Sequence, residues 1–120
     1  YRVREIAYDR WNATMLVQNL QEEGLTMVPF GQGYRDMSPA SKEFYKVMLE
    51  GKLIHGGNPV LRWMASNVVV DTDPAGNIKP TKAKSIEKID GIVALIMAMG
   101  RYILQENTSS VYDERGLLVF

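Results

Sequence analysis

The amino-acid sequence predicts an α/β fold, and three observations carry that prediction. Within the first thirty residues a strand pattern, a helix pattern and a second strand pattern follow one another, the rhythm of a parallel crossover unit. Helix-start signals then recur at Ser38-Pro39 and Asn58-Pro59. A valine run at Val68 to Val70, followed by turn residues, reads as one arm of a hairpin.

Each element has its own local reason. Val3 to Tyr8 becomes apolar as it approaches Asp9, as a strand entering a core does. Asn12 is the expected N-cap of a helix over 13–23, where Met15, Leu16, Asn19 and Leu20 recur at helical spacing and Gly24 closes the end. Leu25 to Phe30 is the next strand, and Gly31 to Met37 a glycine-containing loop. Ser38 and Pro39 supply an N-cap and a first-turn proline for a helix to Glu50, which Gly51 ends. Leu53 and Ile54 form a very short strand or a turn, and Asn58-Pro59 starts a short helix through Ser66. Val68 to Val70 leads into a turn over 71–77, with Ile78 to Pro80 returning. Ser85 is the expected cap of a long helix to Gln105, whose Ile92 to Met99 stretch is apolar on every side. A polar break over 107–110 separates it from a tail ending in Leu117, Leu118, Val119 and Phe120.

The composition narrows the chemistry. The chain has 120 residues, 46% of them hydrophobic, enough for one domain with a core. It has no cysteine and one histidine, His55, which removes disulfides, thiol catalysis and cysteine-ligated zinc, so any metal site must be built from oxygen. Fourteen basic residues balance fourteen acidic ones, which argues against coating nucleic acid by bulk charge but leaves room for a local basic stripe. No apolar run approaches the roughly 20 residues that span a bilayer, and no signal-peptide pattern opens the chain. It reads as a soluble, intracellular protein, and its start within a strand reads as a piece of a longer polypeptide. No phosphate-loop ATPase motif and no dinucleotide-binding glycine motif is present.

Several residues read in two ways. Asp9 ends the first strand, where ligands bind in open α/β sheets, or it simply starts the next turn. Asp90 precedes the most apolar helix, either as a first-turn acid favoured by the helix dipole or as a carboxylate held on rigid support for a divalent cation. Asp71 and Asp73 fit a solvated turn better than a site, with Asp73 kept as an accessory candidate. Lys79, Lys82, Lys84 and Lys88 form either a solvated face or a phosphate-backbone contact that Arg62, Trp63, Tyr34 and Arg35 extend. His55 fits a hydrogen-bonded turn better than a ligand.

Four segments in order, Ile6-Ala7-Tyr8-Asp9-Arg10-Trp11-Asn12, Gly56-Gly57-Asn58-Pro59-Val60-Leu61-Arg62-Trp63-Met64, Asp73-Pro74-Ala75-Gly76-Asn77 with Lys79-Pro80-x-Lys82, and Lys88-Ile89-Asp90-Gly91-x-x-Ala94, resemble the carboxyl-terminal nuclease domain of the tailed-phage terminase large subunit. The resemblance implies a ribonuclease H-like, integrase-like mixed sheet flanked by helices and truncated at its N-terminus. It places a partial nuclease domain at 1–106 and a C-terminal tail at 107–120. It implies a metal-dependent endonuclease that cuts concatemeric viral double-stranded DNA with two Mg²⁺ or Mn²⁺ ions, Asp9 and Asp90 being catalytic and metal-binding, while Asp73 stays the accessory metal candidate of the residue reading. Lys79, Lys82, Lys84, Lys88 and Arg62 are then the DNA contacts. A further family aspartate lies on a strand upstream of Tyr1, so the piece as it stands is expected to be weak or inert and to self-associate through an unpaired strand edge or the tail. The implied partners are double-stranded DNA, the terminase small subunit, the portal ring and the ATPase half, in the cytoplasm of the bacterial host and with no membrane. Two other readings stay open: a non-catalytic DNA-binding or docking module, and another ribonuclease H-like nuclease such as a resolvase or a ribonuclease.

Overall fold

The computed structural model describes residues 1–11 and 13–118, with side chains as far as Ser109. Eight elements follow in order: β1 (Ile6–Tyr8), α1 (Thr14–Glu22), β2 (Met27–Pro29), α2 (Tyr34–Leu49), α3 (Pro59–Asn67), β3 (Val70–Thr72), β4 (Ile78–Pro80) and α4 (Asp90–Leu118).

The crossover unit forms as the pattern predicts. β1 and β2 are parallel, with Ile6 opposite Met27 and Tyr8 opposite Pro29. The Ile6 amide donates to the Thr26 carbonyl and the Phe30 amide to the Tyr8 carbonyl, each at 2.8 Å. Because Phe30 turns its amide toward β1, the N–H that Pro29 lacks falls on the opposite edge of β2, where no ladder bond is lost. The expected cap Asn12 lies outside the described residues. α1 ends as Gly24 adopts a φ of +85° and Leu25 donates to the Leu20 carbonyl. The buried face of α1 differs from the expected one: Val17 is buried, whereas Met15 and Leu16 are exposed, the main packing partner of α1 among the described elements being β2.

α2 begins at Tyr34, four residues before the expected Ser38 cap. Asp36 lies in the first turn, its carboxylate over Gly31, where any Cβ would collide with it. Ser38, inside the helix rather than at its cap, makes a tertiary contact instead. It is buried, and its Oγ accepts from the Ile78 amide at 3.0 Å, tying α2 to β4. Pro39 sits within the helix, and the carbonyl it leaves unmatched, that of exposed Arg35, is at a solvated position. α3 starts as predicted, the Asn58 Oδ1 accepting from the Val60 and Leu61 amides at 3.0 and 3.1 Å, with Pro59 in the first helical position. Leu53 and Ile54 belong to neither helix nor strand.

β3 and β4 form the predicted antiparallel hairpin, but the strand extends through Thr72, so Asp71 is a ladder residue opposite Lys79 rather than part of the turn. Among the described residues the parallel and antiparallel pairings expected of a mixed sheet are both present, as two two-stranded pieces, β1–β2 and β3–β4. The core that joins them is helical. Phe30, Met37, Ala40, Ile92, Ile96 and Met97 are its buried members.

α4 starts at Asp90, not at Ser85. The Ser85 hydroxyl donates to the Thr81 carbonyl at 2.6 Å and accepts from the Val69 amide at 3.2 Å, so it fastens the approach segment to the hairpin instead of capping a helix. The expected break over 107–110 is also absent, as the helix runs on to Leu118. Thr108 satisfies its hydroxyl on the Leu104 carbonyl one turn back, which lets a polar stretch stay helical. The apolar stretch is not buried all round, since Ala94 and Ala98 are exposed on the face that meets β1.

Two contacts position β1 and β2 on α4. Arg101 donates through Nε and Nη2 to the two carboxylate oxygens of Glu5, in a largely buried pair. Gly100 lets the Phe30 ring lie against the helix: a Cβ there would sit 2.6 Å from the Phe30 Cζ and 3.1 Å from the Ala40 Cβ. Gly100→Ala is expected to lower the unfolding free energy by about 1–3 kcal/mol in urea denaturation, because neither the ring nor the α2 backbone can retreat without opening the core. The Ser41 hydroxyl is the one buried side-chain polar atom without a partner among the described residues. Ser41→Ala is therefore expected to be neutral or stabilising, whereas Ser38→Ala should cost about 1–3 kcal/mol by orphaning the Ile78 amide.

Candidate functional site

Asp9 follows β1 directly and is exposed. Its Oδ1 accepts from the Trp11 amide at 3.3 Å, a local turn bond that leaves the other oxygen free of protein partners among the described residues. Trp11 itself is 83% exposed.

Asp90 is the first residue of α4, and its backbone is held on several sides. Ile89 before it is buried, and the Ile89 carbonyl accepts from Ile92 and Val93 at 3.0 and 3.1 Å. The Asn67 side chain donates to the Lys88 carbonyl at 3.2 Å. Gly91 after it lies against the Met64 sulfur, which brings α3 onto the helix start. The Lys82 ammonium donates to the Asp90 Oδ1, and that hydrogen bond, followed by the Lys82 charge, holds the carboxyl below the usual aspartate range. Asp90 is thus ionised at neutral pH, exposed, and carried on rigid support.

β1 and α4 pack against each other, so the two acids stand on contacting elements. They share no hydrogen-bond partner: Asp9 is engaged by its own turn and Asp90 by Lys82. Among the described residues no group of three or more acidic or histidine side chains converges on one point. Each acid offers carboxylate oxygen, the ligand type that hard divalent cations take, often with several retained waters.

Asp73 serves the hairpin turn. Its Oδ1 accepts from the Ala75 and Asn77 amides at 3.0 and 2.8 Å, and its Oδ2 from the Asn77 side chain at 2.8 Å. Asp71 pairs with Lys84 at 2.6 Å across the approach segment. The basic run therefore divides: Lys79 lies half-buried over the Tyr34 ring at 4.8 Å, Lys82 is on Asp90 and Lys84 on Asp71. Lys88 and Arg62 are exposed and belong to no ion pair among the described residues. Trp63 is half-exposed beside Arg62, and Arg35 is exposed at the start of α2. His55 accepts at Nδ1 from the Gly57 amide at 3.1 Å, the hydrogen-bonded turn that its context suggests.

Spacing in the sequence does not reveal the Lys82–Asp90 and Tyr34–Lys79 contacts as pairs, although all four residues are candidates by type. The Glu5–Arg101 pair has no local signal at all, its members lying 96 positions apart.

Comparisons with known proteins give one consistent result. Residues 1–106 match the family described as the terminase large subunit, endonuclease domain. The chain is 40% identical over 102 residues to the terminase large subunit of Enterobacteria phage HK97, covering 83% of this chain and 20% of that protein. It is 40% identical over 113 residues to the protein YmfN of Escherichia coli K12, covering 92% of this chain and 25% of that one. The crystal structure of the HK97 bacteriophage large terminase is similar with a TM-score of 0.76, at 40% identity, over 84% of this chain and 22% of that one. The chain thus spans between a fifth and a quarter of the length of these relatives.

The turn geometry yields a pH dependence. The Asn77 side-chain bond, ahead of the backbone bonds, holds the Asp73 carboxyl below its usual range. Its stabilisation of the hairpin is therefore fully present above the ordinary aspartate value and is lost as pH falls through the lowered folded-state value. The Asn77 amide, followed by NMR, is expected to titrate at a lower pH than aspartate in an unfolded peptide, and Asp73→Ala should abolish that titration and lower the thermal midpoint.

Proposed function

Since the chain belongs to the terminase large subunit endonuclease domain family, we propose that it is the metal-dependent nuclease unit of a DNA-packaging enzyme, cutting concatemeric viral double-stranded DNA. The observation that carries this reading is the Asp90 carboxylate, ionised and exposed on the immobilised start of α4, with Asp9 at the end of the strand that packs on the same helix. We assign the nuclease unit to residues 1–106 and treat 107–120 as an appended tail.

In this reading Asp9 and Asp90 are the catalytic carboxylates, and the fold is a reduced ribonuclease H-like one. Asp9 and Asp90 would hold a divalent cation, Mg²⁺ or Mn²⁺, two in the complete site, which would supply Lewis-acid stabilisation to phosphodiester hydrolysis. The chain contributes fixed oxygen donors: Asp90 is oriented by its place in the first helical turn, and Asp9 keeps one oxygen outside its turn bond. The exposed Lys88 and Arg62 are the residues best placed to meet phosphates, and Lys79, Lys82 and Lys84 add charge to the same region once their carboxylate or aromatic partners are exchanged for DNA. Asp73 is committed to its turn and has at most an accessory part.

In this reading the assembly partners are double-stranded DNA, a small subunit, a portal ring and an ATPase half, in the host cytoplasm. No helix among the described residues is long and apolar enough to cross a membrane. The free edge of β1, which no described strand pairs, is the proposed route of self-association.

Mn²⁺ added to the labelled chain is expected to broaden the amides around Asp9 and Asp90 together. In a polypeptide extended upstream, Asp9→Asn and Asp90→Asn should each reduce Mn²⁺-dependent nicking of supercoiled DNA by about 100-fold or more while duplex affinity stays nearly constant. Nicking that survives both substitutions would refute the assignment.

A further inference from the structure

Four ion pairs link the described residues, and three of them have plain structural settings. Glu50–Lys52 lies at the end of α2, Asp71–Lys84 joins the hairpin to the segment after it, and Glu5–Arg101 holds β1 on α4. Lys82–Asp90 differs, because both side chains are well exposed, at 67% and 58%, while both backbones are anchored. On the lysine side, the Thr81 amide donates to the Val69 carbonyl at 2.9 Å and Ser85 bonds back to Thr81 through both its amide and its hydroxyl. On the aspartate side stand buried Ile89 and the α3 contact at Gly91. An exposed pair contributes little to stability, so anchoring two backbones for it gains little unless the charges act on something else. An ammonium has three donors, and at this exposure the two that Asp90 does not take face solvent.

We propose that Lys82 is a positioning residue of the Asp90 site: its ammonium orients the Asp90 carboxylate, competes with a divalent cation for Oδ1, and when displaced is delivered to a phosphate oxygen of the bound DNA strand. This inference rests on the nuclease reading above and adds a role to it. Two like charges cannot share one carboxylate oxygen without repulsion, so cation entry and release of the lysine are coupled events. The lysine need swing only its terminal carbons, because Thr81 and Ser85 hold the chain on either side of it.

The experiment is an Mn²⁺ titration of the 120-residue chain, reading the Mn²⁺ concentration that half-broadens the Asp90 amide. It compares the unaltered protein with Lys82→Gln, Lys82→Arg and Lys88→Gln, and the Val69 and Ser85 amides report that the fold is retained. Lys82→Gln is expected to lower the half-broadening concentration by roughly two- to five-fold, the range an exposed ion pair commands. Lys82→Arg should restore the original value, and Lys88→Gln, which removes the same charge without touching Asp90, should shift it less. A short duplex should lower the half-broadening concentration of the unaltered chain and have a smaller effect on Lys82→Gln. An unchanged or raised value for Lys82→Gln, or an equal shift for Lys88→Gln, overturns the proposal while leaving the nuclease reading standing. No broadening near Asp90 in the unaltered chain overturns the proposal, and none in the polypeptide extended upstream overturns the nuclease reading as well.

Discussion

Gly100 carries no side chain, and the Phe30 ring occupies the space a Cβ would need. Through that ring β2, and with it the parallel ribbon, is pressed onto α4, while Ala40 brings α2 to the same point. The core is built around this crossing: Met37 and Ala40 from α2 meet Ile92, Ile96 and Met97 from α4. Two two-stranded pieces would not be stable alone, since a ribbon of that width covers too little apolar surface. Each is stable here because it is docked on the helix pair, β1 and β2 through Phe30 and Glu5–Arg101, β4 through the Ser38 hydroxyl.

The same helix pair sets the electrostatics of the surface. α4 projects Asp90 from its first turn, where the helix dipole and Lys82 both favour the ionised carboxylate. The hairpin docked on α2 brings Lys79 over Tyr34 and Asp71 to Lys84, so a run of lysines that looks continuous in sequence is divided among separate partners. Two of the cations that belong to no ion pair among the described residues, Lys88 and Arg62, lie on the approach to α4 and on α3, which packs against the helix start.

Local chemistry is legible wherever a residue acts on its own neighbours. Asn58-Pro59 starts a helix as its chemistry requires, the hairpin closes on Asp73, Gly76 and Asn77, and the strand–helix–strand rhythm produces a parallel pair. The departures share a cause. Ser38 and Ser85 have ideal capping chemistry, yet each hydroxyl is engaged by a distant strand or an adjoining loop instead, and the helices start at Tyr34 and Asp90. A side chain that can satisfy one orphan amide can satisfy another, and only the packing decides which. Asp71 belongs to a strand rather than a turn for a similar reason: its ladder partner Lys79 is set by the hairpin register.

What the sequence by itself determined is the chemistry on offer: oxygen ligands only, an acid at the end of a strand, an acid at the start of an apolar helix, a lysine run between hairpin and helix, and the order of motifs that marks the terminase nuclease family. Those are properties of residue type and spacing, which no packing can change. Only the tertiary structure decided which lysine meets which carboxylate, that β1 lies on α4 rather than in a wide sheet, and that Glu5 and Arg101 close the contact. Such pairings span up to 96 positions and depend on the direction in which each element leaves the core, a quantity that local propensity does not contain.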